Sequence, residues 1–89
     1  MMNRTTVYEK ILAKNGLIVQ AVVALEELSE AQKEICKCLR DEGSMEHLAE
    51  EIADATIMLE QITQYYGIGN SVREYMDKKL QKIIAMCEK

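Results

Sequence analysis

SMEHLAEEIADATIMLEQITQYYG, residues 44–67, decides the fold. Within it Leu48, Ile52, Ala55, Leu59, Ile62 and Tyr66 recur at alternating steps of four and three, the spacing of one face of an α-helix. Ser44 offers an N-cap, and His47 three residues later leaves the capping box incomplete. Gly67 ends the run. The spacing predicts a helix over 45–66. On its N-terminal side, Asp41-Glu42-Gly43-Ser44 forms a break with Gly43 as the terminating glycine. A helix over 17–41 precedes that break, with Leu17, Ala21, Ala24, Leu25, Leu28, Ala31, Ile35 and Leu39 as its stripe. The turn signal Asn15-Gly16 sets off a short helix over 4–14. On the C-terminal side, Gly67-Ile68-Gly69-Asn70-Ser71 offers Asn70 or Ser71 as a cap, with Glu74 placed to complete a capping box from Ser71. A helix over 71–88 follows, with Val72, Tyr75, Met76, Ile83 and Met86 in line. Each helix has one apolar face that needs a neighbour, so the simplest packing is an antiparallel bundle of three long helices plus the short N-terminal one.

Composition agrees with an all-α class. The chain has 89 residues, one domain over 1–89, with no Pro, Trp or Phe and only 4 Gly. An all-β fold uses those residues on its turns and strands. Hydrophobic residues make up 48%, and with Glu and Lys they are largely helix formers. Charged residues make up 29%, and no apolar run approaches the roughly 20 residues of a spanning helix, which argues against a membrane protein. No basic start with an apolar core suggests a signal peptide, and three cysteines do not make a disulfide framework, so a cytoplasmic setting is expected. A net charge of −4 argues against a nucleic-acid groove or an anionic membrane surface. So short a helical chain, poor in aromatics, is expected to complete its core by oligomerising.

Some polar residues break the pattern. Glu51 lies on the edge of the 45–66 stripe, and Asp54 is its neighbour at i, i+3. Glu27 and Glu30 form a second such pair on one flank of the 17–41 stripe, shared with Gln20 and Glu34. If these two helices pack antiparallel, four carboxylates converge. Such a cluster takes up protons or a hard cation, and an all-oxygen set without His or Cys suits Mg²⁺ or Mn²⁺. Lys79 falls within the 71–88 stripe and Lys82 on its flank, where either could meet the carboxylates or a phosphate. Blander readings stand beside these. Paired acids at helical spacing are commonly a solvated face, a buried Glu–Lys bridge would explain Glu51 and Lys79 together, and Lys79 can snorkel to solvent. Cys36 and Cys38 point apart on a helix, which argues against a zinc site with His47 or Cys87.

The acidic pairs extend into two motifs. Glu26-Glu27-Leu28-Ser29-Glu30 matches E-E-x-x-E, and Glu51-Ile52-Ala53-Asp54 matches E-x-x-D, with residues 31–50 between them. Together with Gly16, Gln20, the run Glu50–Gln61 and Lys79-Leu80-Gln81-Lys82-Ile83, the chain over about 14–85 resembles the MazG-like branch of the all-α nucleoside triphosphate pyrophosphohydrolases. The family's closing motif reads Lys-Leu-x-Arg-Leu. Lys82 stands here in the Arg position and lacks the two-pronged contact of Arg with phosphate. The resemblance implies a homodimer or homotetramer that hydrolyses a nucleoside triphosphate to the monophosphate and pyrophosphate. It implies Mg²⁺, with Mn²⁺ as a substitute, held by Glu27, Glu30, Glu51 and Asp54. Glu30 is the candidate proton acceptor, Lys79 and Lys82 serve the phosphates, and Glu26, which points away from the other four, is supporting. A role in clearing unwanted nucleotides goes with the family. The rival from another class is a non-catalytic helical oligomerisation module in which the acids and lysines form a structural network.

Overall fold

A computed structural model describes residues 2–89. Among them are four α-helices and no strand: α1 (Arg4–Asn15), α2 (Leu17–Leu39), α3 (Met45–Tyr66) and α4 (Gly69–Cys87). No helix among these residues is long and apolar enough to cross a membrane.

The helix ends follow from local chemistry. Gly16, at φ 83°, separates α1 from α2. Ser44 caps α3, its Oγ accepting from the His47 N–H at 3.0 Å. Gly67 closes α3 in the left-handed region at φ 63°, and the N–H groups of Gly67 and Ile68 donate to the carbonyls of Gln64 and Thr63. That pair of bonds is a Schellman motif.

Two ends differ from the sequence reading. α2 stops at Leu39 because the same motif forms earlier, with Asp41 as its left-handed residue at φ 61°. The Asp41 N–H donates to Cys38 and the Glu42 N–H to Lys37. Gly43 is therefore not the terminator. It is small for another reason: a Cβ there would lie 2.6 Å from Cys38 Sγ, which packs on the turn. α4 starts at Gly69, two residues before Ser71, with no side-chain cap. The Gly67 turn returns the chain to helical geometry at once, so Asn70 and Ser71 lie inside the first turn, and Asn70 Oδ1 accepts from Arg73 instead.

Packing centres on α2 and α3. Gln20, Ala24, Ala31 and Glu34 are buried on α2, and Ala55, Met58 and Gln61 on α3. Gln20 meets Gln61, and further along α2 Glu27 meets Asp54, so numbers rise along α2 as they fall along α3. α1 docks through buried Tyr8, whose hydroxyl donates to Glu60 Oε1 at 2.6 Å. Arg4 holds both oxygens of the same carboxylate.

The seam therefore runs between the alanines of the apolar stripes and the flank that carries the acids, and several large apolar residues of the stripes stay outside it. Leu25, Leu28, Ile35 and Leu39 on α2 are exposed, Leu25 to 68%, and so are Ile52 and Leu59 on α3. α4 buries no residue, and Tyr75, Met76, Leu80, Ile83 and Met86 stand open. The accessible surface is 7334 Å², against about 5300 Å² for a folded monomer of this mass. The radius of gyration is 15.9 Å, against about 12 Å for a compact domain of this length.

Candidate metal centre

The site begins with the small residues of the seam. Ala24, Ala31 and Ala55 let the two helix backbones come close, which brings the longer polar side chains between them face to face. Glu27 from α2 and Glu51 and Asp54 from α3 each offer a carboxylate oxygen, all within 4.8 Å of one another. All three residues are half-buried. Glu51 Oε2 is cut off from solvent and has no hydrogen-bond partner.

Electrostatics mark the same place. Partial burial, then the adjacent Asp54, pushes the Glu27 carboxyl above its ordinary range. Burial and Asp54 do the same to Glu51, with Glu30, Glu50 and Glu34 adding their charges. Loss of solvent and like-charge crowding both disfavour the ionised form. No cation relieves them: among the described residues, the ion pairs are Arg4 with Glu60, Lys33 with Glu30, Lys37 with Glu34 and Arg40 with Glu42.

Of the residues expected at the site, three come together and three do not. Glu30 is exposed, stands outside the set of three and lies 3.4 Å from Lys33 Nζ, although its charge is felt by both Glu27 and Glu51. Lys79 and Lys82 lie on exposed α4 and form no ion pair or hydrogen bond with the carboxylates, because α4 leaves α3 at Gly67 and buries none of its side chains. Within the single chain, the inward cation anticipated at Lys79 does not reach the acids. Glu26 is exposed, as its wheel position required.

The three carboxylates suit a hard divalent cation. They supply only oxygen, they come from two facing helices, and one oxygen is buried without a donor. An ion there would satisfy Glu51 Oε2 and offset the mutual repulsion that raises Glu27 and Glu51.

Two arrangements escaped the sequence reading. One is the clamp of Tyr8 and Arg4 on Glu60, across 52 and 56 residues. Tyr8 and Arg4 share a face of α1 at i, i+4, but nothing in the sequence names their target. The other is the buried amide pair Gln20–Gln61, bonded at 2.9 Å. Gln20 stood on the acidic flank, but its partner could be known only from the axial setting of the two helices.

No family model, curated protein or solved structure matches the chain.

Proposed function

We propose that this chain is a Mg²⁺-dependent nucleoside triphosphate pyrophosphohydrolase of the MazG-like kind, converting an NTP and water to NMP and pyrophosphate. The observation that carries the reading is the meeting of Glu27, Glu51 and Asp54 within 4.8 Å around a buried, unpartnered Glu51 oxygen, with no ion pair to these acids among the described residues. A structural network would pair these acids with lysines, and the lysines of α2 are engaged elsewhere.

In this reading Glu27, Glu51 and Asp54 hold Mg²⁺, or Mn²⁺ in its place, with Glu30 at the margin. The ion supplies charge neutralisation at the triphosphate oxygens. Glu30, exposed beside the cluster, is the acid placed to accept a proton from the attacking water. Lys79 and Lys82, unpaired within the single chain, steady the phosphates.

The active form in this reading is an antiparallel bundle completed as a homodimer or homotetramer. Two features support it: the bare apolar face of α4, and a surface roughly 2000 Å² larger than a monomer of this mass needs. Two chains covering that excess would bury an area within the range of about 2000–5000 Å² found in obligate interfaces. Since Lys79 and Lys82 do not meet the acids within the single chain, their role at the phosphates in this reading belongs to the assembled form. The cellular role that accompanies the reaction is removal of unwanted nucleotides.

The test is a panel of ribo- and deoxyribonucleoside triphosphates with Mg²⁺, run beside Glu51→Gln and scored by chromatography for NMP, NDP and pyrophosphate. NMP with pyrophosphate, lost in the variant, supports the reading. No turnover of any nucleotide, together with no effect of Mg²⁺ on the melting temperature, overturns it in favour of the oligomerisation module.

A further inference from the structure

The buried amides Gln20 and Gln61 have no part in the chemistry proposed above, yet they are among the least exposed residues of the chain, at 4% and 9%. Their bonds form a directed series. Asn15 Nδ2 donates to Gln20 Oε1 at 2.8 Å, Gln20 Nε2 donates to Gln61 Oε1 at 2.9 Å, and Gln61 Nε2 lies 3.6 Å from Met58 Sδ. Each amide has one orientation that satisfies both of its ends.

The position of this pair along the seam matters. Seven residues on from Gln20 along α2 stands Glu27, and seven residues back from Gln61 along α3 stands Asp54. Ten residues on and ten back stand Glu30 and Glu51. In a pair of helices whose numbering runs in opposite senses, equal steps from a contact stay level, since each residue advances about 1.5 Å. The Gln20–Gln61 bond thus lies at the same axial setting as the carboxylate cluster, two turns away.

The bonds of Tyr8 and Arg4 to Glu60 tie α1 to α3, but within the α2–α3 contact itself the apolar residues do little to hold that setting. Ala24 and Ala31 are seven residues apart, so a slip of two turns places alanine where alanine was. Apolar contact is non-directional, and a methyl surface packs nearly as well one turn along. The acids themselves repel and favour separation. A buried amide that loses its partner is penalised at every setting but one, which is why single buried polar residues fix the register of helix pairs.

We infer that Gln20 and Gln61 are positioning residues: their hydrogen bond is the register key that holds α3 at the one axial setting where Glu27, Glu51 and Asp54 meet. The functional consequence rests on the metal reading above; the register itself does not.

The experiment uses the full chain carrying Gln20→Met and Gln61→Met together, a pair of similar shape that leaves no buried amide unpaired, since Asn15 is exposed and can turn to water. Two readouts are taken while circular dichroism shows parent helix content. The first is Mn²⁺ affinity, by electron paramagnetic resonance with the metal alone. The second is the distance between spin labels at Ile18→Cys and Glu46→Cys, with the three native cysteines replaced by Ser and the labelled chain diluted with unlabelled. The expected result is Mn²⁺ binding weakened about tenfold or more, as for residues that orient ligands, and a label distance that shifts or broadens by about one turn, roughly 5 Å. An unchanged label distance overturns the inference, whatever happens to Mn²⁺. If the parent itself binds no Mn²⁺, the metal reading fails, and the label distance alone decides the register. Should the double variant not fold, Gln61→Asn takes its place. It keeps an amide one methylene short of Gln20, and parent Mn²⁺ affinity with an unshifted label distance would then overturn the inference.

Discussion

Glu51 and Glu60 stand on the same helix, and their surroundings are opposite. Glu60 accepts from the Tyr8 hydroxyl at 2.6 Å and from Arg4 at both oxygens, and these bonds hold its carboxyl below the ordinary range. Glu51 has acids around it, one buried oxygen without a donor, and a carboxyl held above that range. The first carboxylate ties α1 to α3 and is complete as it stands. The second is incomplete, and what would complete it is positive charge from outside the seam. The two acids thus differ in counter-charge: Glu60 receives it from Arg4, and Glu51 receives none from the described residues.

The largest expected effect separates them by function. Glu51→Gln or Asp54→Asn lowers nucleotide turnover by about 100-fold or more, beyond what residues that merely orient a ligand contribute, with helix content unchanged. Glu60→Gln leaves turnover near parent and lowers the melting temperature instead. Full activity in Glu51→Gln would break the comparison at its root.

Next is the response to metal. At ten times its dissociation constant, Mg²⁺ stabilises the fold by about 1.4 kcal/mol, a rise in melting temperature of roughly 6–11 °C. Glu51→Gln abolishes that rise, and Glu60→Gln retains it. Calorimetric scans with and without Mg²⁺ read both.

The pH response has opposite signs at the two sites. Glu27 and Glu51 bind protons more tightly folded than unfolded, so without metal their penalty is absent below the ordinary carboxylate value of 4.5 and grows as pH rises through their raised values. Glu60 is depressed, so its contribution is present above 4.5 and is lost as pH falls through its lowered value. In metal-free melts, Glu51→Gln flattens the profile above 4.5 and Glu60→Gln flattens it below. A profile that either variant leaves unaltered would show that its carboxyl is not shifted as described.

The smallest effect belongs to Arg4. Its side chain is 72% exposed, so Arg4→Met costs less than about 1 kcal/mol in chemical denaturation, while Tyr8 still donates to Glu60. A loss as large as that of Glu60→Gln would mean that Arg4, not Tyr8, anchors α1.

Much of this was legible in the sequence. Gly16, Ser44 and Gly67 act locally, through backbone conformation and capping, and the start of α2 and both ends of α3 fall where the spacing puts them. The paired acids were legible because i, i+3 spacing is also local. The seam was not. Hydrophobic periodicity weighs large apolar side chains, whereas the contact between α2 and α3 joins the alanines of the stripes to Met58 and to the Gln and Glu of the flank. Small residues earn their place there by letting backbones approach, a property of two helices together. Glu30 stands outside the set of three because the wheel gives direction but not depth, and beside Lys33 it remains in solvent. The Tyr8–Glu60 bond spans 52 residues and needed the fold itself.

The turn between α2 and α3 gives the chain a chemical clock. Cys36 and Cys87 are exposed, whereas Cys38 lies against the backbone of Gly43, too close for even a methyl group to intervene. An alkylating reagent reaches the first two thiols at their intrinsic rates. It meets the half-buried third more slowly, and faster each time the turn lifts away, so the labelling of Cys38 lags behind the other two by an amount that reports that opening. Three thiols in one short chain thus time a hinge against two internal standards, with no label added to the protein.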